Sequence, residues 1–545
     1  MKTLIGICCG LLFHLAVFAQ SLIPVPARIV PAGKGYYTFG ATEKIHLSDT
    51  SLQNEARELQ RILAQRTGCR AEISLADGQP RRNIFLQTDT TLNHPEGYQL
   101  VITPRSIRIT GKEAAGIFYG IQTLNQLLLE HDGQTPPTGI PCLQIEDAPR
   151  YGYRALMLDP ARHFIPVKEV KRFIDLMAGY KFNTLQLHLT DDQGWRMEIK
   201  KYPQLTEVGA FRDKHSGSQG PHNVFYTQEE LKDLIRYAAQ RHVEIIPELD
   251  IPGHTAALLL ACPELGCAHL DSIPVQLGKT TDRTLCAAQE KVYEVYADIL
   301  QEVCALFPAR RIHLGGDEAV IDKNWGHCPD CRKVMQAKGF KEVREMMGYF
   351  FGRIHELVKR NQKELMLWCE LDNIRMPASE FLFPYPKDCT LFTWRMGLTP
   401  KTIELTRQAG IKLIASPGEH CYLDYPQYKG DLPEFNNWGM PVLTLQQSYD
   451  WDPGYGLPAK GQEHIIGIAG LLWAEAMQDL NRVTYMAFPR AMALAEAGWS
   501  LPENRNWENF KDNLIPHLAD LTRQGVSFRV PFEVYRTFNA ETRKK

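Results

Sequence analysis

Beyond residue 150, short continuously apolar runs alternate with longer stretches whose apolar positions recur every three or four residues. The runs at 155–158, 184–188, 243–247, 311–314, 365–368, 391–394, 412–415 and 468–473 read as strands buried on both faces. Between them, Val170, Phe173, Ile174 and Met177 share one helical face, and Val292, Val295, Tyr296, Ile299 and Val303 share another. Thr227 and Glu230 have the spacing of a capping box, ahead of Leu231, Leu234, Ile235 and Ala238. This alternation predicts a (β/α)₈ barrel over residues 149–500. A doubly wound open sheet would share the pattern, but no G-x-G-x-x-G follows a strand.

Residues 20–148 read differently, as a small α+β unit. Strands are expected at 83–87, 98–102 and 106–110, and a helix from Ala114 carries Ile117, Ile121, Leu124 and Leu128. The polar stretch Glu146-Asp147-Ala148-Pro149 marks a boundary. Residues 501–545 are expected to form a helical extension, with Ile515, Leu518 and Leu521 packing on the barrel.

Composition narrows the partners. Lys and Arg number 61 against 63 Asp and Glu, a net charge of -2, which argues against nucleic acid or an anionic membrane. Residues 1–19 have the form of a signal peptide: Lys2, an apolar core from Leu4 to Phe18, and the cleavage site Val17-Phe18-Ala19. No later run is long and apolar enough to span a bilayer, so the mature chain is expected to be secreted or periplasmic. Removal of residues 1–19 leaves eleven of the thirteen cysteines, an odd number. Cys328-Pro-Asp-Cys331 suits a disulfide, half a zinc site, or two neighbouring thiols.

In a barrel, chemistry collects at the carboxyl ends of the strands. Those ends carry Asp159 and Arg162; Asp191, Asp192 and Trp195; Glu248, Asp250 and His254; and Asp317 and Glu318. The remaining four carry Trp368 and Glu370; Trp394 and Arg395; Glu419, Tyr422 and Asp424; and Trp473 and Glu475. Aromatic faces beside carboxylates suit a sugar, whose C–H faces pack on rings while its hydroxyls bond acids and arginine. Arg154 and Asp159 suit a structural pair, Arg196 a structural role, and His188 a packed one. Glu248 and Asp250 fit a supporting position equally well. The most pointed feature is Gly315-Gly316-Asp317-Glu318. Neighbouring strand residues point to opposite faces, so both acids reach one site only from a turn. Held together, they disfavour double ionisation, and one carboxyl should rise in pKa and keep a proton for a leaving group.

These residues lie in longer motifs: LDPARHF at 158–164, HLTDDQGWR at 188–196, PGH at 252–254, HLGGDE at 313–318 and LLWAE at 471–475. Over about residues 153–499 the chain resembles the family 20 glycoside hydrolases, the β-N-acetylhexosaminidases. The resemblance implies an exo-acting, retaining enzyme that removes terminal β-linked GlcNAc or GalNAc from glycans, with no cofactor and no metal. It implies substrate-assisted catalysis, in which the 2-acetamido oxygen attacks and an oxazolinium forms. By resemblance Glu318 is the general acid, Asp317 supports the acetamido nitrogen and Tyr422 holds its oxygen. Trp368, Trp394 and Trp473 wall the sugar, Arg162, Glu475 and Asp424 bind it, and Asp191 and His254 support the acid. The competing expectations are a disaccharide-releasing glycosidase, a glycan-binding protein on an inactive barrel, and a metal-dependent hydrolase using His188, His254 and His313.

Overall fold

The computed structural model describes residues 22–75, 83–129, 139–210, 224–271, 283–371, 382–431, 439–455 and 461–534, with Val275 and Leu457 besides. The segment read as a signal peptide lies outside them. Eight parallel strands close into a ring: β1 (Tyr153–Leu158), β2 (Thr184–Asp191), β3 (Glu244–Leu249), β4 (Arg311–His313), β5 (Glu364–Trp368), β6 (Thr390–Phe392), β7 (Lys412–Ala415) and β8 (Ile465–Leu472). Closure is made by β8 pairing with β1, Gly467 opposite Tyr153 through Leu472 opposite Leu158, and by β1 pairing with β2. β1 and β2 are buried at every position, which is why they read as unbroken apolar runs. Every expected barrel strand is present, but β2 runs past the predicted end at residue 188 and carries Asp191 itself. His188, at the predicted end, is fully buried within the strand.

The helices follow their predicted faces. Val167–Gly179 buries Val170, Phe173, Ile174 and Met177, and Glu290–Leu306 buries all five of its expected residues. Gln228–Ala239 starts at the capping box foreseen from Thr227 and Glu230, both reciprocal bonds being formed.

The preceding unit is a mixed seven-stranded sheet in the order Arg28–Thr38, Gly139–Asp147, Tyr98–Ile102, Ser106–Gly111, Asn83–Thr88, Thr42–Leu47 and Arg70–Leu75. Helices Gln53–Thr67 and Ala114–Leu127 pack against it. Only three of these strands were foreseen. Arg28–Thr38 is an edge strand, mostly exposed and interrupted by Pro31, Gly33 and Gly35, so it lacks a clean alternation.

Buried charge joins this sheet to the barrel. Asp147 accepts from Lys181 Nζ at 3.0 Å, Trp499 Nε1 at 2.9 Å and Tyr98 Oη at 2.7 Å. Arg154 does not pair with Asp159; it crosses to Glu96 at 2.8 Å, because Asp159 is taken by Arg162. The last helix, Trp507–Arg523, touches both units: His517 Nδ1 lies 3.3 Å from Tyr180 Oη, and Arg66 donates to Asp520 at 2.8 Å. No helix among the described residues is long and apolar enough to cross a membrane.

Candidate active site

The barrel mouth is built on a buried chain of acids and imidazoles. At its floor, the Glu248 carboxylate accepts from Trp368 Nε1 and from Gln186 Nε2, both at 2.8 Å. His313 and His188 lie against it at 3.1 and 3.2 Å. Burial alone would raise this carboxyl, but the two imidazoles hold it well below the usual range. His188 then bridges to Asp191 at 2.8 Å, so it is not the merely packed residue the sequence suggested. Asp191 also takes Arg162 Nη2 at 2.9 Å and His254 Nδ1 at 3.2 Å. Burial opposes its charge as well, yet Arg162 and His254 hold it well below an ordinary aspartate.

His254 delivers this chain to the paired acids. Its Nε2 stands 3.6 Å from Asp317 Oδ2 and 3.6 Å from Glu318 Oε2. Burial works against an imidazolium, but Asp191 and then Asp317 outweigh it, and His254 sits well above its ordinary pKa. Its ring is backed by Asp192, whose carboxyl is pushed up to about 7 by burial and by Asp191, and which accepts the Ala256 N–H at 2.9 Å.

Adjacent acids meet here because the backbone leaves the strand. Gly315 and Gly316 have φ of 62° and 108°, and Glu318 itself has φ of 50°, a left-handed conformation costly for a side-chain-bearing residue. His254 shares that conformation, also at φ 50°. Gly315 is obligatory on a second count: a Cβ there would fall 1.7 Å from Asp250 Oδ1. The same oxygen accepts the Gly316 N–H at 3.1 Å, so Asp250 pins the turn. Across it, Glu370 accepts the Glu318 N–H at 3.3 Å.

The pair divides unequally. Asp317 has 11% of its side chain exposed and Glu318 33%, so Glu318 is the more open of the two. One carboxyl of the pair does rise, as the sequence suggested, but it is Asp317, lifted by burial. Glu318 is lowered: burial is outweighed by the attraction of His254, 3.6 Å away, then by Arg395 and Arg162. The sequence could show the crowding of two acids but not the imidazolium placed against the outer one.

The remaining site residues set aromatic rings beside buried polar atoms, with Trp368 itself 1% exposed. The rings of Trp368 and Trp473 lie 5.7 Å apart at 51°, and the Arg162 guanidinium sits 5.0 Å over Trp473. Tyr422 packs on Tyr425 at 5.1 Å and is near enough to feel the Asp317 charge, while Trp394 carries Arg395 at 4.2 Å. Asp424 Oδ1, Glu475 Oε2 and Trp394 Nε1 are buried with no hydrogen-bond partner among the described residues. Polar atoms so placed suit a ligand rich in hydroxyls and an amide. Burial raises both Asp424 and Glu475. Trp195, expected at the rim, is core: it is 1% exposed and its indole N–H goes to Met197 O at 2.8 Å. Arg196 is structural as expected, donating only to backbone carbonyls in the bonds resolved, among them Ala161, Ala210 and Val224.

A closed barrel with paired rim acids, an aromatic wall and unmet carboxylates defines a glycoside hydrolase. Residues 151–502 match the glycosyl hydrolase family 20 catalytic domain, and residues 19–148 match domain 2 of the same family. The chain belongs to glycosyl hydrolase family 20. It is 41% identical to a beta-hexosaminidase of Akkermansia muciniphila over 81% of this chain and 86% of that one. It is 34% identical to a beta-hexosaminidase of Vibrio furnissii, covering 88% and 76%. Among solved structures, it superposes on an exo β-N-acetylglucosaminidase of Vibrio harveyi in complex with N-acetylglucosamine with a TM-score of 0.81, at 30% identity over 94% and 79% of the two chains. The Streptomyces coelicolor β-N-acetylhexosaminidase gives 0.79, at 30% identity over 95% and 98%.

Proposed function

We infer that the chain is an exo-acting β-N-acetylhexosaminidase that removes terminal β-linked GlcNAc or GalNAc with retention, through attack by the substrate's own acetamide. The observation that carries this reading is the unequal pair: a buried Asp317 and a more open Glu318, served by one imidazole. In this reading Glu318 protonates the glycosidic oxygen as the acetamido oxygen attacks C1. Asp317 accepts the acetamido N–H and supports the positive charge of the oxazolinium, and Tyr422 donates to the acetamido oxygen. Glu318 then takes a proton from water as that water opens the ring at C1, so the β configuration returns. Trp368, Trp394 and Trp473 enclose the sugar, and Arg162, Asp424 and Glu475 take its hydroxyls. Asp191 and His254 hold the acid pair in register, with His188 and Glu248 behind them.

A panel of β-linked aryl hexosides, with and without the 2-acetamido group, tests the reading. The N-acetylhexosaminides should turn over while plain β-glucosides stay nearly inert, since the attacking oxygen is missing. Rapid turnover of a β-glucoside would refute assistance by the substrate. The reading includes export to the periplasm or beyond, supported by the residue pattern at 1–19. Mature protein beginning at Gln20 would agree with it, and retention of Met1 in extracted protein would not.

A further inference from the structure

A second cluster of reactive side chains lies outside the sugar site. Cys267, Cys286, Cys328 and Cys331 are all buried, and their four Sγ atoms fall within 4.8 Å of one another. Two local structures bring them there. Gly266 and Leu285 form an antiparallel bridge, and the Cys286 N–H donates to Leu265 O at 2.8 Å, so the two residues that follow the bridge present their thiols side by side. Cys328 caps the helix Pro329–Lys338 and Cys331 stands in its first turn, so the C-P-D-C run points both sulfurs back from the helix N-terminus. That end of a helix favours thiolate.

The geometry is that of a coordination shell. Four thiolates around Zn²⁺ at ~2.3 Å form a tetrahedron with edges of ~3.8 Å. Cys286 Sγ and Cys331 Sγ are 3.7 Å apart. Four sulfurs gathered about one centre, from two separate segments, are also what a C-x₂-C half-site lacks when read from sequence alone. We propose that Cys267, Cys286, Cys328 and Cys331 form a structural site for a thiophilic divalent cation with tetrahedral preference, zinc by its chemistry. Soft sulfur ligands select against magnesium and calcium, and a complete set of four leaves no open position for catalysis. Each thiol gives up its proton to solvent as the metal–sulfur bond forms.

Placement gives the site a purpose. Cys267 and Cys286 belong to the connection after β3, which opens with His254; Cys328 and Cys331 belong to the connection after β4, which opens with Asp317 and Glu318. The cation would fasten the loop that carries His254 to the loop that carries the acid pair, a consequence that rests on the catalytic reading above. Direct hydrogen bonds already follow the same seam: Thr284 N to Asn324 Oδ1 at 3.0 Å, and Trp325 Nε1 to Leu285 O at 2.8 Å.

Metal content decides the matter independently of hydrolysis. Full-length protein produced in zinc-containing medium and purified without reductant should carry about one zinc per chain. Titration with an organomercurial should release it, and a Cys328→Ser/Cys331→Ser variant should lose it. Protein exchanged with Co²⁺ should show the intense visible absorption of tetrahedral thiolate-bound cobalt, a readout on the unaltered sequence should the variant fail to fold. Zinc below a tenth of an equivalent, with peptide mapping that finds these cysteines in disulfides, would overturn the proposal. So would undiminished zinc in the folded variant. Either result leaves the glycosidase reading untouched, since that reading rests on substrate turnover.

Discussion

Glu318→Gln should lower kcat/KM for glycosides with a sugar leaving group by about 10²–10⁴-fold, the usual worth of a positioned general acid. Activated aryl glycosides, whose phenolates leave without a proton, should lose far less. The expectation comes from placement: Glu318 is the more open of the pair, and its backbone is held by Gly315, Gly316 and Glu370. Gln keeps the shape but has no proton to give. Glu318 is held low in the free protein by His254, so the acid role requires it to take up a proton on binding. A sugar covering its exposed third removes water from the carboxylate and disfavours the charge, which favours proton uptake on binding. A series of aryl leaving groups of graded acidity measures this directly, because the variant should show a much steeper dependence on leaving-group pKa. Equal losses across the series would remove Glu318 from the acid role.

The barrel was legible because parallel strands buried on both faces leave an unbroken apolar signature, seen at β1, β5 and β8. Where the interior turns polar, the signature fails. Gln186, His188, Glu248 and His313 are fully buried, and the Glu248 carboxylate that the other three face offsets the cost. That pairing is a property of neighbouring strands, so the strand-end acids could be named, and Asp191 and His254 assigned by resemblance, while the links through Gln186, His188 and His313 could not. His188 and Asp191 stand three positions apart, which was the one local hint. The edge strand Arg28–Thr38 was invisible for the opposite reason, having too little burial to impose a pattern. The four-cysteine cluster needed the bridge between Gly266 and Leu285 before two distant thiols could join the C-P-D-C run. The direction of the pKa split within the acid pair likewise depends on where His254 stands in space.

Asp317→Asn should cut kcat by about 10²–10³-fold, the range seen when one preorganised electrostatic contact to a developing charge is removed. Here the loss should be similar for good and poor leaving groups, because Asp317 acts on the attacking amide and not on the departing oxygen. This separates it from Glu318→Gln, although the two carboxyls are adjacent. Binding of a thiazoline mimic of the oxazolinium should weaken in parallel, and unchanged affinity would contradict the assignment. The pH profile supplies a third readout. Asp317 must be ionised to support a cation, and burial raises its pKa, while the neighbouring Asp250 is raised further by burial and by Asp317 itself. Activity should therefore fall as pH drops through the raised Asp317 pKa, at a higher pH than an ordinary aspartate would give. Asn cannot titrate, so the residual activity of the variant should lose that acid limb. If the limb persists unchanged, the titrating group is elsewhere, and a buried carboxylate at position 317 is not what steadies the intermediate.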